Sequence, residues 1–245
     1  MYIFLKKVIK LIVPLPLLFK NELFLRSIYG LFYKGNTKNC NICNEKLKKF
    51  ILLENNELLC PFCGSLSRNR RLWMLLTKNN HLKGNLLHFS ASRNLYRKLK
   101  KIKNIDYYST DFENEFLADY KFDITNINQP NEKFNTIICY HILEHIIEDI
   151  KAMSELYRVL KKNGVMFVQT PFKEGDLYED YSITSKEDRL KHFGQFDHVR
   201  IYSVKDLKAR LESVGFNVTI KNFTNNSKDA YYGYKSPETI LILNK

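Results

Sequence analysis

FNTIICYHILEHIIEDIKAMSELYRVLKKNGVMFVQTPF, residues 134–172, decides the fold. Its start, residues 136–140, is short, apolar and β-branched, which suits a strand in a sheet covered on both faces. Ile146, Ile150, Met153, Leu156, Tyr157 and Leu160 then recur at helical spacing and share one side of a helix. Lys161 and Lys162 close its last turn, and Gly164 is the expected left-handed C-cap. Residues 165–169 return as a second buried strand. A strand, helix and strand of this length make a right-handed crossover in a parallel sheet. Such sheets bind ligands beyond the carboxyl ends of their strands, where Tyr140, His141, Thr170 and Pro171 fall.

Working outward, residues 84–92 (GNLLHFSAS) read as a first strand and its loop, and residues 94–101 as a helix. Residues 105–110 form a second strand ending at Asp111, and residues 118–125 (ADYKFDIT) a third, with Asp123 and Ile124 at its end. An acid at the end of the second strand can accept hydrogen bonds from both hydroxyls of a ribose.

The strand ending in His-Ile-Leu-Glu-His, the helix with Glu-Leu-x-Arg-Val-Leu-Lys-x-x-Gly and the strand ending in Thr-Pro together resemble class I S-adenosylmethionine-dependent methyltransferases. The resemblance runs over roughly residues 85–216. It implies an α/β fold, a Rossmann-like sheet with helices on both faces. A helix at 207–214, capped by Gly215, would lead into a closing antiparallel pair at 216–220 and 239–243, joined through Tyr231-Tyr-Gly-Tyr234, a candidate pocket lining. It implies methyl transfer, with S-adenosylmethionine held by Phe89, Ser90, Ala91, Asp111, Phe112, Asp123, Ile124, Tyr140 and His141. Asp123 would face the adenine amine, Ile124 the ring, and His141 the reactive end. The chain departs from the pattern in the first loop, where Phe89-Ser-Ala-Ser92 replaces a Gly-x-Gly-type turn. A binding module without cofactor would share that departure and stays open as an alternative.

His141-x-x-Glu144-His145 also matches an inverted zinc-protease motif. That motif needs both histidines on one helix face, whereas His141 directly follows a buried strand. For Glu144 and His145, packing or capping at the helix start is the plainer expectation. Residues 173–200 form a long loop with little apolar periodicity, and its core concentrates His192, Gln195, Asp197, His198 and Arg200. Loops of this kind form lids and substrate pockets; surface histidines, or a metal held by His192, His198 and Asp197, are the alternatives. The candidate bases are His141, fixed by the sheet, and His198, on a mobile lid, on opposite sides of the transferred methyl. The His-Phe-Gly-Gln-x-Asp-His segment is similar to bacterial small-substrate or glycan methyltransferases.

Four of the five cysteines form Cys40-x-x-Cys43 and Cys60-x-x-Cys63, with 16 residues between the pairs. Two such knuckles present four thiolates to one tetrahedral ion, the signature of a zinc ribbon. Residues 49–54 and 57–59 flank an Asn-Asn turn and read as its hairpin. Four thiolates leave no open coordination position, so the zinc is expected to be structural. Disulfide pairing is the alternative, disfavoured in a reducing compartment. Ser67-Arg-Asn-Arg-Arg71 follows and either grips phosphate or forms the exposed first turn of a helix. Cys139, in the buried strand, is a small hydrophobe.

The chain has 245 residues, 44% of them hydrophobic, which excludes disorder and allows one domain plus a smaller module. Its net charge of +13 is uneven. Residues 1–85 hold 15 Lys and Arg against 4 Asp and Glu, while residues 86–245 hold 24 against 22. Expected boundaries are a basic apolar segment at 1–38, the ribbon at 39–67, a connecting helix at 68–84 and the methyltransferase domain at 85–245. No apolar run reaches the roughly 18 residues of a membrane span. Residues 11–19 are interrupted by Pro14 and Pro16, and no small-residue cleavage site follows the basic start at Lys6, Lys7 and Lys10. Residues 1–34 either pack as an extra helix or lie at an anionic membrane surface. The expected location is therefore the cytoplasm, including its membrane face. The near-neutral catalytic part suits a small-molecule or glycan acceptor; the ribbon and basic N-terminal third resemble ribosomal RNA methyltransferases and keep a nucleic-acid partner open.

Overall fold

The computed structural model describes residues 15–245, with side chains from residue 21 onward. The basic start at Lys6, Lys7 and Lys10 lies outside the described residues. Two compact units divide the chain: residues up to Lys78 with Thr224–Pro237, and Asn79–Phe223 with Glu238–Lys245.

The first unit contains α1 (Leu15–Leu31), β1 (Lys34–Asn39), β2 (Lys46–Leu47), β3 (Ile51–Leu52), β4 (Leu58–Leu59) and α2 (Ser67–Lys78). β1 pairs with β2 and β3 with β4, both antiparallel. Asn56 turns the second hairpin with φ 59, a left-handed conformation that asparagine tolerates. α1 meets the ribbon through Gly30, where a Cβ would stand 2.5 Å from the Phe62 ring. No described helix is long and apolar enough to cross a membrane.

Thr224–Pro237, read from sequence as part of the 85–245 domain with Tyr231-Tyr-Gly-Tyr234 as candidate pocket lining, belongs by its contacts to this unit. The reason lies in two arginines. Neither exposed nor aimed at phosphate, Arg70 and Arg71 are 0% and 2% exposed. Arg70 donates to the carbonyls of Ser65 (2.6 Å), Leu58 (3.0 Å), Tyr232 (2.9 Å) and Gly233, and its guanidinium lies 4.1 Å from the Phe50 ring. Arg71 forms a two-bond pair with Asp229 and donates to the Lys235 carbonyl and the Ser236 hydroxyl. Burying two cations is tolerable only because nearly every donor has an acceptor.

The second unit contains β5 (Gly84–Phe89), α3 (Arg93–Leu99), β6 (Ile105–Thr110), β7 (Phe134–Tyr140), α4 (Asp149–Val159), β8 (Leu160–Gln169), β9 (Tyr178–Glu179), α5 (Lys186–Phe193), β10 (Arg200–Ile201), α6 (Val204–Ser213), β11 (Asn217–Phe223) and β12 (Glu238–Asn244). Its sheet runs β11-β12-β8-β7-β5-β6. β6, β5, β7 and β8 are parallel, and β12 is antiparallel to both neighbours. This is the α/β, Rossmann-like sheet expected from the sequence. Alternate residues are buried on both faces: Leu87, Ile137 and Met166 on one, Leu86, Ile138 and Phe167 on the other. The first set joins Met153 and Leu156 of α4 and Leu207 and Leu211 of α6 in one core. Cys139 is buried there, and burial pushes its thiol well above the ordinary range.

Three expectations are corrected. α4 ends at Val159, and Leu160 is already extended and paired with Phe134, so Gly164 lies within β8 and is not a left-handed cap. Ile150 is 42% exposed, and Ala152 and Val159 take its place on the buried face. Residues 118–125 make only isolated bridges, Thr110 with Tyr120 and Asp123 with Asn126, in place of a third strand. The segment 173–200 is also more ordered than a loop. It holds α5, capped by Ser185 at its start and by Gly194 (φ 81) at its end, and the β9–β10 pair.

Candidate active site

Two residues at the carboxyl ends of central strands adopt left-handed backbone without being glycine: Ser90 after β5 (φ 46) and His141 after β7 (φ 55). Such conformations cost about 1–3 kcal/mol and concentrate at functional sites. Ser90 stands where the expected glycine turn would be, so its backbone supplies the conformation that the sequence did not advertise. The Ser90 amide continues the sheet ladder to the Thr110 carbonyl (2.8 Å) and the His141 amide to that of Gln169 (2.8 Å). Both turns are therefore anchored to the sheet edge. Ala91 is fully buried beside Ser90.

Asp111, 5% exposed, sits at the end of β6. It accepts from the Ser90 hydroxyl (2.7 Å) and from the amides of Glu115 (2.6 Å) and Phe116 (3.1 Å). These donors fix the carboxylate, and its remaining lone pairs can receive ribose hydroxyls. Phe112 next to it is 51% exposed, with Lys121 Nζ 5.1 Å from its ring. Asp123 is exposed, and its Oδ1 accepts from both the amide and the hydroxyl of Thr125 (2.8 Å each), a local turn. Ile124 is buried. The left-handed Ser90 and the donor-fixed Asp111 fit an adenosyl cofactor; the Asp123 turn adds no separate support.

At the ends of β7 and β8 buried polar atoms converge. His141 Nε2, both carboxylate oxygens of Glu144, Gln169 Oε1, Thr170 Oγ1 and His198 Nε2 are buried without a hydrogen-bond partner. His141 Nδ1 lies 3.4 Å from Glu144 Oε1. His198 packs edge-on against His145, ring centroids 4.7 Å apart, and His145 Nδ1 is 3.2 Å from Asp197 Oδ2. Burial works against the Glu144 carboxylate, but His141 and then His145 outweigh it and hold the carboxyl below its ordinary range. Burial lowers His198, and the neighbouring His145 adds to that.

A single arginine organises this corner. Arg200, fully buried, donates to the carbonyls of Leu143 (3.3 Å), Ile146 and Ile147 (2.9 Å) and to Glu179 (2.9 Å). The Val199 amide donates to the Glu144 carbonyl (2.9 Å). His198 is thus 4% exposed and tied to the β7 turn rather than carried on a free lid. His192 is exposed and bonds Tyr178 (2.6 Å), apart from the cluster. The protease arrangement is absent, since His141 lies in a turn and residues 143–145 form a single 3₁₀ turn. Glu144 is the member of the site that sequence underrated; an acid between two histidines just after a buried strand was its signal.

In the ribbon, all five cysteines of the chain being free, Cys40 and Cys63 sulfurs are 3.7 Å apart and so are those of Cys43 and Cys60. A tetrahedral ion with about 2.3 Å bonds to sulfur sets its ligands about 3.8 Å apart. Each knuckle closes with a left-handed residue, Asn44 (φ 63) and Gly64 (φ 73), whose amides bond the Cys40 and Cys60 carbonyls. Burial opposes the Cys40 thiolate, but hydrogen bonds from the other three sulfurs and the Arg70 charge prevail and lower it. Hydrogen bonding to Cys40 raises Cys43. The donor set fits a thiophilic divalent ion.

Residues 66–220 match the family model described as Methyltransferase domain. A curated relative, the tRNA U34 carboxymethyltransferase of Campylobacter fetus subsp. fetus, is 25% identical over 157 residues, 54% of this chain and 55% of the relative. The chain thus spans about half the length of the curated relative it matches. Among solved structures, a SAM-dependent methyltransferase from Archaeoglobus fulgidus aligns with 71% of this chain and 93% of its own, at 16% identity and a TM-score of 0.49. A possible histamine N-methyltransferase from Thermotoga maritima aligns with 71% and 93%, at 15% identity and 0.46. With the family model matched over more than half of this chain, the chain belongs to the methyltransferase-domain family.

Proposed function

We propose that the protein methylates an oxygen or nitrogen of a small-molecule or glycan-type acceptor and carries one structural zinc on Cys40, Cys43, Cys60 and Cys63. Charge carries the choice of acceptor. Residues 86–245 are nearly neutral, with 24 Lys and Arg against 22 Asp and Glu, and the arginines beside the ribbon turn inward. A polynucleotide would call for an outward basic stripe near the site.

S-Adenosylmethionine, when bound, supplies a methyl group activated on a sulfonium. The Ser90 turn would allow close backbone approach, Asp111 would hold the ribose, and Ile124 and Tyr140 would contact the adenosyl group. His141 or His198 takes the acceptor proton, and the rigid β7 turn keeps acceptor and methyl in line. The alanine variant of whichever histidine is the base, His141→Ala or His198→Ala, should lower turnover about 100-fold, with cofactor affinity little changed.

A second reading, an RNA acceptor, draws on the tRNA-directed relative and on the basic residues 1–85. The deciding experiment supplies isotopically labelled S-adenosylmethionine with a total RNA fraction and with a low-mass and glycan fraction. Label in low-mass or glycan product supports the proposal. Label confined to RNA, with retention falling steeply as salt rises, would replace it.

A further inference from the structure

Glu144, His145 and His198 offer one carboxylate oxygen and two imidazole nitrogens within 4.8 Å of one another. We propose that they form a second metal site, separate from the ribbon, for a divalent transition ion such as zinc, cobalt, nickel or iron.

The donor atoms are prepared for it. Asp197 at 3.2 Å engages His145 Nδ1 and leaves Nε2 as the ligand, the carboxylate–histidine arrangement that orients metal ligands. His198 is 4% exposed and its Nε2 is buried without a partner. Glu144 is 1% exposed, its Oε1 lies 3.4 Å from His141 Nδ1 and its Oε2 is buried without a partner. Buried acceptors of this kind are costly unless satisfied, and one cation satisfies all three residues together. Donors around an ion with bonds of about 2.1 Å stand roughly 3–4 Å apart. Binding requires the three donors to draw in from a spacing of up to 4.8 Å.

The scaffold is rigid where a site needs it. Arg200 clamps the carbonyls of the 143–147 turn, and the Val199 amide ties the segment leading from His198 into β10 to the Glu144 carbonyl. Two imidazoles and a carboxylate favour a borderline transition ion over magnesium or calcium. Three protein donors leave coordination positions open, as in catalytic rather than structural sites. The site stands on this donor geometry; with His198 Nε2 bound to the ion the acceptor proton goes to His141, and a role in binding the methyl acceptor through an open position rests on the function proposed above.

The test titrates cobalt(II) into full-length protein whose ribbon is already loaded with zinc. One further equivalent should bind with weak d–d absorption and no sulfur-to-cobalt charge-transfer band. His145→Ala and His198→Ala should weaken that binding by about 100-fold or more, Glu144→Gln should weaken it with the side-chain volume kept, and His192→Ala should leave it unchanged. Calorimetry with S-adenosylhomocysteine on the same samples separates this inference from the cofactor reading and reports that each variant is folded. Cofactor binding without a second cobalt equivalent, or wild-type cobalt affinity in folded His145→Ala, would overturn the metal site and leave the methyltransferase reading intact.

Discussion

Replacing Asp229 by Asn should destabilise the ribbon unit far more than loss of an exposed acid would. The carboxylate receives Arg71 Nη1 at 3.0 Å and Nη2 at a shorter distance, and the two side chains are 2% and 5% exposed. Burial opposes ionisation of Asp229, but the hydrogen bonds from Arg71 and Ser236 prevail and keep it below its ordinary range. Breaking a buried pair from one side leaves the other charge uncompensated, at a cost of about 3–5 kcal/mol. Arg71→Met should cost a similar amount, and the double variant less than the sum by about 2–3 kcal/mol, because no lone charge remains. With a urea dependence of about 1–3 kcal/mol per molar, each single change moves the midpoint by roughly 2 M. Trp73, the single tryptophan, is buried in the same helix as Arg71, so its fluorescence reports this unit. Single losses under about 1 kcal/mol, the level of an exposed pair, or simple additivity would refute the reasoning.

Purified protein should contain about one tightly held zinc per chain, and Cys60→Ser should release it and lower the urea midpoint of the Trp73 transition; zinc-free reduced protein of unchanged stability would contradict this. His88 is buried at 3% exposure, and burial pushes its imidazole down to about 3. Its folded value lies below the unfolded one of about 6.5, so its contribution is complete above that pH. It drains at up to about 1.4 kcal/mol per pH unit as pH falls toward the folded value. His88→Gln should flatten the change in urea midpoint between about pH 7 and about pH 5; an unchanged slope would remove His88 as its source. Ser90→Gly should be more stable than Ser90→Ala by about 1 kcal/mol, because only the alanine keeps the left-handed penalty; equal midpoints would show that the turn is unstrained.

The crossover from β7 to β8 was legible because apolar residues alternate in the strands and recur helically between them. Lys-Lys-Asn-Gly164 misled as a helix stop, because pairing of Leu160 with Phe134 draws the chain into the sheet before the glycine is reached. Residues 118–125 carry strand-forming aromatics, yet Asp119 accepts from the Tyr96 hydroxyl and Asp123 from Thr125, and these local bonds compete with a ladder. The inward turn of Arg71 depends on Asp229, 158 positions away, which no local pattern announces. The cysteine pairs were readable because their ligand spacing is local. The cluster at Glu144 was only half readable, since the histidine that completes it arrives from the segment before β10, held by Arg200.

Calorimetric titration of S-adenosylhomocysteine into wild type and Asp111→Ala, side by side, tests the central claim most directly. Asp111 is already fixed by Ser90 and two backbone amides. Ribose contacts to this 5% exposed carboxylate would be buried and charge-assisted, worth roughly 2–4 kcal/mol. Wild type should bind one equivalent, and the variant should bind at least about 30-fold more weakly while remaining folded. Equal dissociation constants, or no binding by wild type, would contradict the account.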